Sequence, residues 1–136
     1  MKINKLINFG YCVSDVNYES KTDANAIKNL IGNGRIVCIK NIQPVAPDLL
    51  VTFYKNIGSV AAQSEKLKDC LVGGFPELIR VKKDGFFKGQ EDGELFWHNA
   101  ILNKSDAEDI VAMYMHSLAD EGGDTYFTDC LLYTSD

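Results

Sequence analysis

The chain has 136 residues, of which 46% are hydrophobic and 24% are charged, the ordinary composition of one modest globular domain. Its formal net charge of -5 argues against a general nucleic-acid binder, because such proteins gather Lys and Arg into a basic face. No stretch approaches the roughly 20 apolar residues that span a bilayer, and the N-terminus lacks a signal-peptide core, so we expect a cytoplasmic protein without a membrane partner.

The N-terminal segment is typical of β-structure. Residues 2–13 predict an initial strand or two strands, broken at Gly10. Polar residues dominate positions 14–20, which therefore form a loop before the next element.

A helix and a buried strand are predicted next. From Thr22, apolar side chains recur at helical spacing, with Thr22 or Asp23 able to cap the helix and Gly32 or Gly34 able to end it. The continuous apolar run over residues 36–39 is of the kind found in a buried strand. Its cysteine, Cys38, is expected to be a small core residue.

A second helix is predicted over residues 48–56, after Pro44 and Pro47 break the chain. Its apolar side chains form one stripe, which marks them as core residues. They are Leu49, Leu50, Phe53 and Ile57.

The middle of the chain has weaker signals. Residues 59–74 combine a helical turn with a break at the two glycines that close the segment, and residues 78–81 predict a strand followed by a turn at 83–85. An acidic loop is expected over residues 89–93. The side chain of Glu94 is either a solvated charge or a contact to a cationic or polar substrate.

The four cysteines, Cys12, Cys38, Cys70 and Cys130, are scattered along the chain. None is part of a Cys-x-x-Cys pair, so the spacing indicates neither a zinc site nor a disulfide framework.

Two short motifs carry the chemistry. The first is Trp97-His98-Asn99-Ala100, and the second is Gly122-Gly123-Asp124-Thr125, with an apolar segment from Ile110 to Ala119 between them that predicts a strand. On an extended strand, positions 98 and 100 point to the same side, so a His and an acid there could chelate one metal ion. Ala100, however, has no lone pair and cannot bind a metal.

These motifs resemble the Trp-His-x-Asp and Gly-Gly-Asp-Thr segments of the Fe(II)/2-oxoglutarate-dependent dioxygenases of the taurine dioxygenase (TauD/TfdA) family, with weaker similarity from about residue 22 to residue 129. The resemblance implies a mainly β fold with flanking helices (α+β), the N-terminal part of an antiparallel double-stranded β-helix, or jelly roll. It also implies that His98 binds Fe(II), that Thr125 donates its hydroxyl to a 2-oxoglutarate carboxylate, and that O2 oxidises a small-molecule substrate.

Ala100 departs from the family's acid, and three interpretations follow. In related iron halogenases, an Ala or Gly stands at this position and chloride or bromide binds iron in place of the acid. Alternatively, the parent is a hydroxylase whose acid has been lost by a sequence error or replaced by another ligand, or it is a catalytically inactive relative. A non-enzymatic binding domain is the competing class, because it needs no metal and accommodates Ala100 without further assumptions.

The expected domain organisation is a partial oxygenase domain over residues 1–129 and a non-native tail over residues 130–136. The tail resembles the translation of a transposon-end sequencing adapter. The family's second iron His and its 2-oxoglutarate-binding Arg lie far downstream, and the other histidine here, His116, is expected to be a packing or strand-edge residue. We therefore expect the fragment itself to be inactive, whatever its parent does.

Overall fold

The computed structural model describes residues 1–6, 9–34, 36–41, 43–62, 65–81, 97, 110–117, 120–122 and 124–128. The chain divides into two units, Met1–Phe96 and Trp97–Asp136. The predicted features at residues 83–85, 89–93 and Glu94, and the predicted tail over residues 130–136, lie outside the described residues.

A three-stranded sheet begins the first unit. Its strands are β1 (Lys2–Lys5), β2 (Tyr11–Ser14) and β3 (Val37–Lys40), in the order β1-β2-β3. Strand β1 runs antiparallel to β2, whereas β2 and β3 are parallel. The prediction of two strands broken at Gly10 is confirmed, but the parallel pair was not expected from an antiparallel jelly roll.

Gly10 enters β2 with a left-handed backbone, at φ +87°. A Cβ atom built there would lie 2.7 Å from the carbonyl oxygen of Ile36. The same oxygen accepts a hydrogen bond from the Tyr11 amide at 2.9 Å, so it is held in place by the start of the parallel ladder. Glycine is therefore required both for the backbone angle and for the close approach.

Substituting Gly10 with alanine should lower the free energy of unfolding by about 1–3 kcal/mol, because the side chain meets backbone in a strained conformation. Urea unfolding measures this change. Gly32→Ala is the matched control: Gly32 lies within the first helix and a Cβ atom added to it would meet nothing within 4 Å, so alanine should be neutral or stabilise by up to about 1 kcal/mol. Equal effects of the two substitutions would contradict the close-approach argument.

Helix α1 (Lys21–Gly34) connects β2 to β3, close to the predicted bounds. The predicted cap is wrong: Ser20, rather than Thr22 or Asp23, caps the helix by accepting the Asp23 amide on its hydroxyl at 3.2 Å. The Asp23 carboxylate instead accepts the amide of Asn17 at 2.9 Å. The amides of the first helical turn have no partner within the helix. A hydroxyl on the residue just before the helix can accept from one of them, whereas a residue inside the first turn is less well placed to do so.

Helix α2 (Pro47–Ile57) contains the second predicted helix. Pro47 starts the helix rather than breaking the chain before it, because proline at the first position lacks only an amide that would have no helical partner. Leu49 is only half-buried, and Val51 replaces it in the core. The buried residues of the helix are Leu50, Val51, Phe53 and Ile57.

A short hairpin follows α2. A 3-10 helix (Glu65–Cys70) leads into β4 (Leu71–Val72), which pairs antiparallel with β5 (Phe75–Ile79). The predicted break at the two glycines is the turn of this hairpin, where Gly74 has φ +81°. The predicted strand over residues 78–81 is therefore misplaced, since β5 starts earlier and ends at Ile79.

Strand β3 is not the buried strand that its apolar run predicted. Val37 and Ile39 are half-buried, while Cys38 and Lys40 are exposed. Strand β3 lies at the edge of the three-stranded sheet and only one of its faces meets α1, so alternate residues face outward. The expectation that Cys38 belongs to the core is therefore wrong.

The core of the first unit lies where α1 packs against β3 and α2. Val13, Ala24, Ile27 and Phe53 have at most 1% of their surface exposed. The ring of Tyr18 lies 4.8 Å from that of Phe53, centroid to centroid, at an interplanar angle of 52°. The ring contact joins the loop after β2 to α2.

An ion pair joins α2 to β5. The ammonium of Lys55 lies 2.8 Å from a carboxylate oxygen of Glu77, whose side chain is 14% exposed. The hydrogen bond from Lys55, assisted by a backbone amide, lowers the pKa of Glu77 below its ordinary value of 4.5. The pair fixes the hairpin to the second helix.

Because the pKa of Glu77 is lower in the folded state, its stabilisation is present above the unfolded pKa and is lost as the pH falls through the folded pKa. Glu77→Gln should therefore flatten the loss of stability below about pH 4.5. Urea midpoints measured against pH report this. Lys55→Met should also weaken the loss of stability at acid pH. If both variants lose stability with falling pH as the unmodified protein does, the ion pair does not lower the pKa of Glu77.

The described residues thus form a mixed α/β structure of two short sheets and two helices, without a closed barrel among them. The predicted strand from Ile110 to Ala119 is wrong for residues 110–117, which form neither helix nor strand. Apolar residues alone do not make a strand, because an extended segment also needs a neighbouring strand for its backbone hydrogen bonds. Its apolar side chains at Val111, Met113 and Met115 are accordingly 55–72% exposed.

Neither described helix combines the length and the apolar character required to cross a membrane.

Candidate functional site

The first motif is only partly within the described residues. His98 and Ala100, the predicted metal ligand and the predicted halide position, lie outside them. Trp97, immediately before them, has 71% of its surface exposed. An indole this exposed is not packed in a core.

The second motif starts with a conformationally demanding glycine. Gly122 has φ +71°, and a Cβ built there would meet nothing within 4 Å. Glycine is therefore favoured here by the positive φ angle and not by close neighbouring atoms, and a positive φ angle agrees with a turn at this point. Asp124 and Thr125 follow on an exposed stretch, residues 124–128, without helix or strand.

Thr125 presents its hydroxyl on an accessible part of the chain. A threonine hydroxyl is a suitable donor to a carboxylate, and exposure leaves it able to receive one. Within the described residues 124–128, Thr125 is not part of a strand. Its role towards 2-oxoglutarate stays a prediction.

The remaining histidine does not complete a metal site. His116 lies exposed in a bend, so it is neither the packing residue nor the strand-edge residue that was predicted. Among the described residues, no three His, Cys, Asp or Glu side chains come together in a group able to hold a metal ion. The whole sequence has two histidines, and the acid of the first motif is absent, so these residues supply only part of the usual donor set of two imidazoles and a carboxylate.

One polar pair was not anticipated from the sequence. The hydroxyl of Tyr18 donates to the side-chain oxygen of Asn41 at 2.6 Å, which joins the loops after β2 and β3. The carboxyl ends of neighbouring parallel strands are where open α/β sheets bind ligands. Here Tyr18 is only 9% exposed and packs on Phe53, so the pair closes this end of the sheet rather than opening a site. The pair could be anticipated only from the parallel pairing of β2 and β3, because the loops that follow two neighbouring parallel strands leave the sheet at the same end.

Comparison with known proteins gives one match that covers nearly the whole chain. The family model described as "Taurine catabolism dioxygenase TauD, TfdA family" matches residues 7–133. No curated protein and no solved structure gives a significant match. The matched range contains both motifs and the three-stranded sheet from β2 onward. The chain therefore belongs to the taurine catabolism dioxygenase TauD, TfdA family.

Proposed function

We propose that this chain is the N-terminal part of an Fe(II)/2-oxoglutarate-dependent oxygenase that acts on an unactivated C–H bond of a small molecule. Membership of the family suggests a non-heme iron, 2-oxoglutarate dioxygenase type of function. The observation that carries the proposal is the family match over residues 7–133, a range that includes His98 and Thr125 in the chain's two family-like motifs. We also propose that the complete protein folds as a jelly roll. A closed jelly roll needs more strands than the described residues form.

The proposed roles follow from the donor chemistry of each side chain. His98 would supply one neutral imidazole to Fe(II), and the accessible hydroxyl of Thr125 would donate to a carboxylate of 2-oxoglutarate. The second imidazole and the Arg for the distal carboxylate would come from sequence outside these residues. Iron with its bound co-substrate would supply the oxidation of the substrate by O2.

Ala100 favours halogenation over hydroxylation. A methyl group in place of a carboxylate removes one negative ligand, and a halide restores both the charge and the coordination number. With a halide held beside His98, the iron site would supply replacement of a substrate C–H bond by a carbon–halogen bond, with O2 as the oxidant. A hydroxylase would instead need an acid from elsewhere in the protein.

An inactive relative or a binding domain is the second candidate. It is favoured by Ala100, because a methyl group cannot replace the carboxylate ligand of the family. In that case the first motif is only a chain segment beside an exposed Trp97, and the second is only a turn at Gly122. Such a protein would keep the fold of the family without its metal.

The complete gene separates the two candidates. An iron enzyme should encode a distal His followed after a short interval by an Arg, and the absence of both would favour the binding domain. The same sequence tests the predicted tail, because a frame that continues past Asp129 into different residues would support an adapter-derived end. A natural stop codon directly after Asp136 would contradict it.

Anaerobic titration of the complete gene product then separates the two reactions. Fe(II) and 2-oxoglutarate are added with and without chloride, and the absorption band of the iron and 2-oxoglutarate complex is followed. A chloride-dependent shift of this band is expected for a halide-binding site. A band that does not respond to chloride would contradict halogenation and leave hydroxylation as the function.

A further inference from the structure

Two cysteines face each other across the parallel pair of strands. In the register of β2 and β3, Cys12 is the direct partner of Cys38. Residues paired in this way project their side chains to the same face of a sheet. Both thiols are free, and neither belongs to the iron motifs.

The face that carries them is the outer face of the sheet. Val13, the next residue in β2, is fully buried, and its partner Ile39 is half-buried, so the alternate face is the one that meets the helices. Cys12 is half-buried and Cys38 is exposed. Asn4 of β1 pairs with Cys12 on its other side, and Lys40 follows Cys38 on the same face. A small oxidant can therefore reach the pair from solvent.

The spacing of the strands suits a covalent link. Neighbouring strands lie about 4.7–4.9 Å apart, and the Cα atoms of a disulfide are usually about 4.4–6.8 Å apart. This general spacing lies in the short part of the disulfide range, so directly paired residues such as Cys12 and Cys38 meet the backbone criterion for a link. A parallel β2 and β3 are required for this, which is why the chain spacing of the cysteines gave no sign of it.

We propose that Cys12 and Cys38 form an oxidisable dithiol, which hydrogen peroxide converts to a disulfide across β2 and β3. One thiolate attacks a peroxide oxygen and breaks the O–O bond, giving a sulfenic acid and, after proton uptake, water. The second thiolate attacks the sulfenic sulfur, the S–O bond breaks, and a second water leaves. In balance, two thiols and one peroxide give one disulfide and two waters, so the sulfur pair loses two electrons and the peroxide gains two.

The buried Cys70 provides an internal comparison. It is 3% exposed at the start of the hairpin, where oxidants have little access. Reactivity towards peroxide follows exposure of the thiol, so Cys70 should stay reduced while the exposed pair reacts. The inference does not depend on iron binding.

The test uses the whole chain, reduced and then treated with hydrogen peroxide in slight excess. Intact mass should fall by the mass of two hydrogen atoms, two maleimide-reactive thiols should be lost, and a non-reducing peptide map should join the peptide of Cys12 to that of Cys38. Mild dithiol reductant should restore both thiols. Cys12→Ser and Cys38→Ser should each abolish the link and leave the partner thiol to gain oxygen instead.

Other products would overturn the proposal. These are independent addition of oxygen to Cys12 and Cys38 in the unmodified chain, a link that joins either of them to Cys70 or Cys130, or a disulfide between two copies of the chain. Because folding could differ in the serine variants, circular dichroism of each accompanies the map. A variant that loses its fold is replaced by the matching Cys→Ala variant, which must give the same result.

Discussion

Replacing Phe53 with alanine is expected to lower the free energy of unfolding by about 3–5 kcal/mol. Phe53 has 0% of its surface exposed and is the largest of the fully buried side chains among the described residues. Its ring contacts Tyr18 with centroids 4.8 Å apart and Tyr54 with centroids 6.3 Å apart. Alanine would lose the transfer energy of the ring and leave a cavity between α2 and the loop after β2.

Urea unfolding followed by circular dichroism measures this loss as a lower midpoint at unchanged slope. Because a decrease of this size is a large part of the stability of a small domain, Phe53→Leu is measured beside it and should cost less, since leucine fills more of the cavity. Phe127→Ala is the exposed control, because Phe127 is 53% exposed and should change stability by no more than about 0.5 kcal/mol. Equal midpoints for Phe53→Ala and Phe127→Ala would show that Phe53 does not hold the core.

Local patterns predicted the helices well. The recurrence of apolar residues at helical spacing gives α1 within a residue at its start, and Phe53 and Ile57 are buried as expected. Helical periodicity is a property of neighbouring residues, so it can be detected without knowing what the helix packs against. The pattern was less accurate for individual core residues: Val51 is buried instead of the predicted Leu49. Which residues at the margin of an apolar stripe are buried depends on the elements that pack against the helix, and the pattern does not identify these.

Strand pairing could not be predicted in the same way. Residues 36–39 are apolar throughout, and Cys38 is exposed because it lies on the face of β3 that does not meet α1. The parallel pairing of β2 and β3 brings together residues that are far apart in sequence, and the local pattern of one strand does not identify the strand with which it pairs. The apolar stretch over residues 110–117 is not a strand in the described structure for a related reason, since its sequence favours an extended backbone but a strand also needs a partner for its hydrogen bonds.

For the candidate site, the sequence predicts the types of donor groups but not their arrangement in space. The resemblance of two short motifs to the family gave His98, Ala100 and Thr125 as candidate positions, and the chemistry of imidazole, methyl and hydroxyl groups gave each one its expected role. The family match supports the dioxygenase type of function, whereas the arrangement of these three groups around iron is a proposal. Motifs of a few residues specify donors; the distances between donors depend on the fold that surrounds them.

Replacing Ala100 with aspartate should abolish the response of the iron site to chloride in the complete gene product. The carboxylate would occupy the coordination position that the methyl group leaves open, and it would supply the negative charge that a halide otherwise provides. Losing outer partners of a metal ligand already changes metal affinity by about 10–100-fold, so adding a direct ligand should raise Fe(II) affinity by at least about tenfold. The measurement is anaerobic Fe(II) titration with 2-oxoglutarate, at low and high chloride.

Ala100→Gly is the matched control, because glycine keeps the position without a ligand and should retain the chloride response. The two variants differ in whether position 100 carries a carboxylate, so their comparison separates ligand chemistry from a change in packing. If aspartate leaves the chloride response and the Fe(II) affinity as they are in the unmodified protein, position 100 does not face the metal. The halide proposal would then fail, while the family assignment over residues 7–133 would stand.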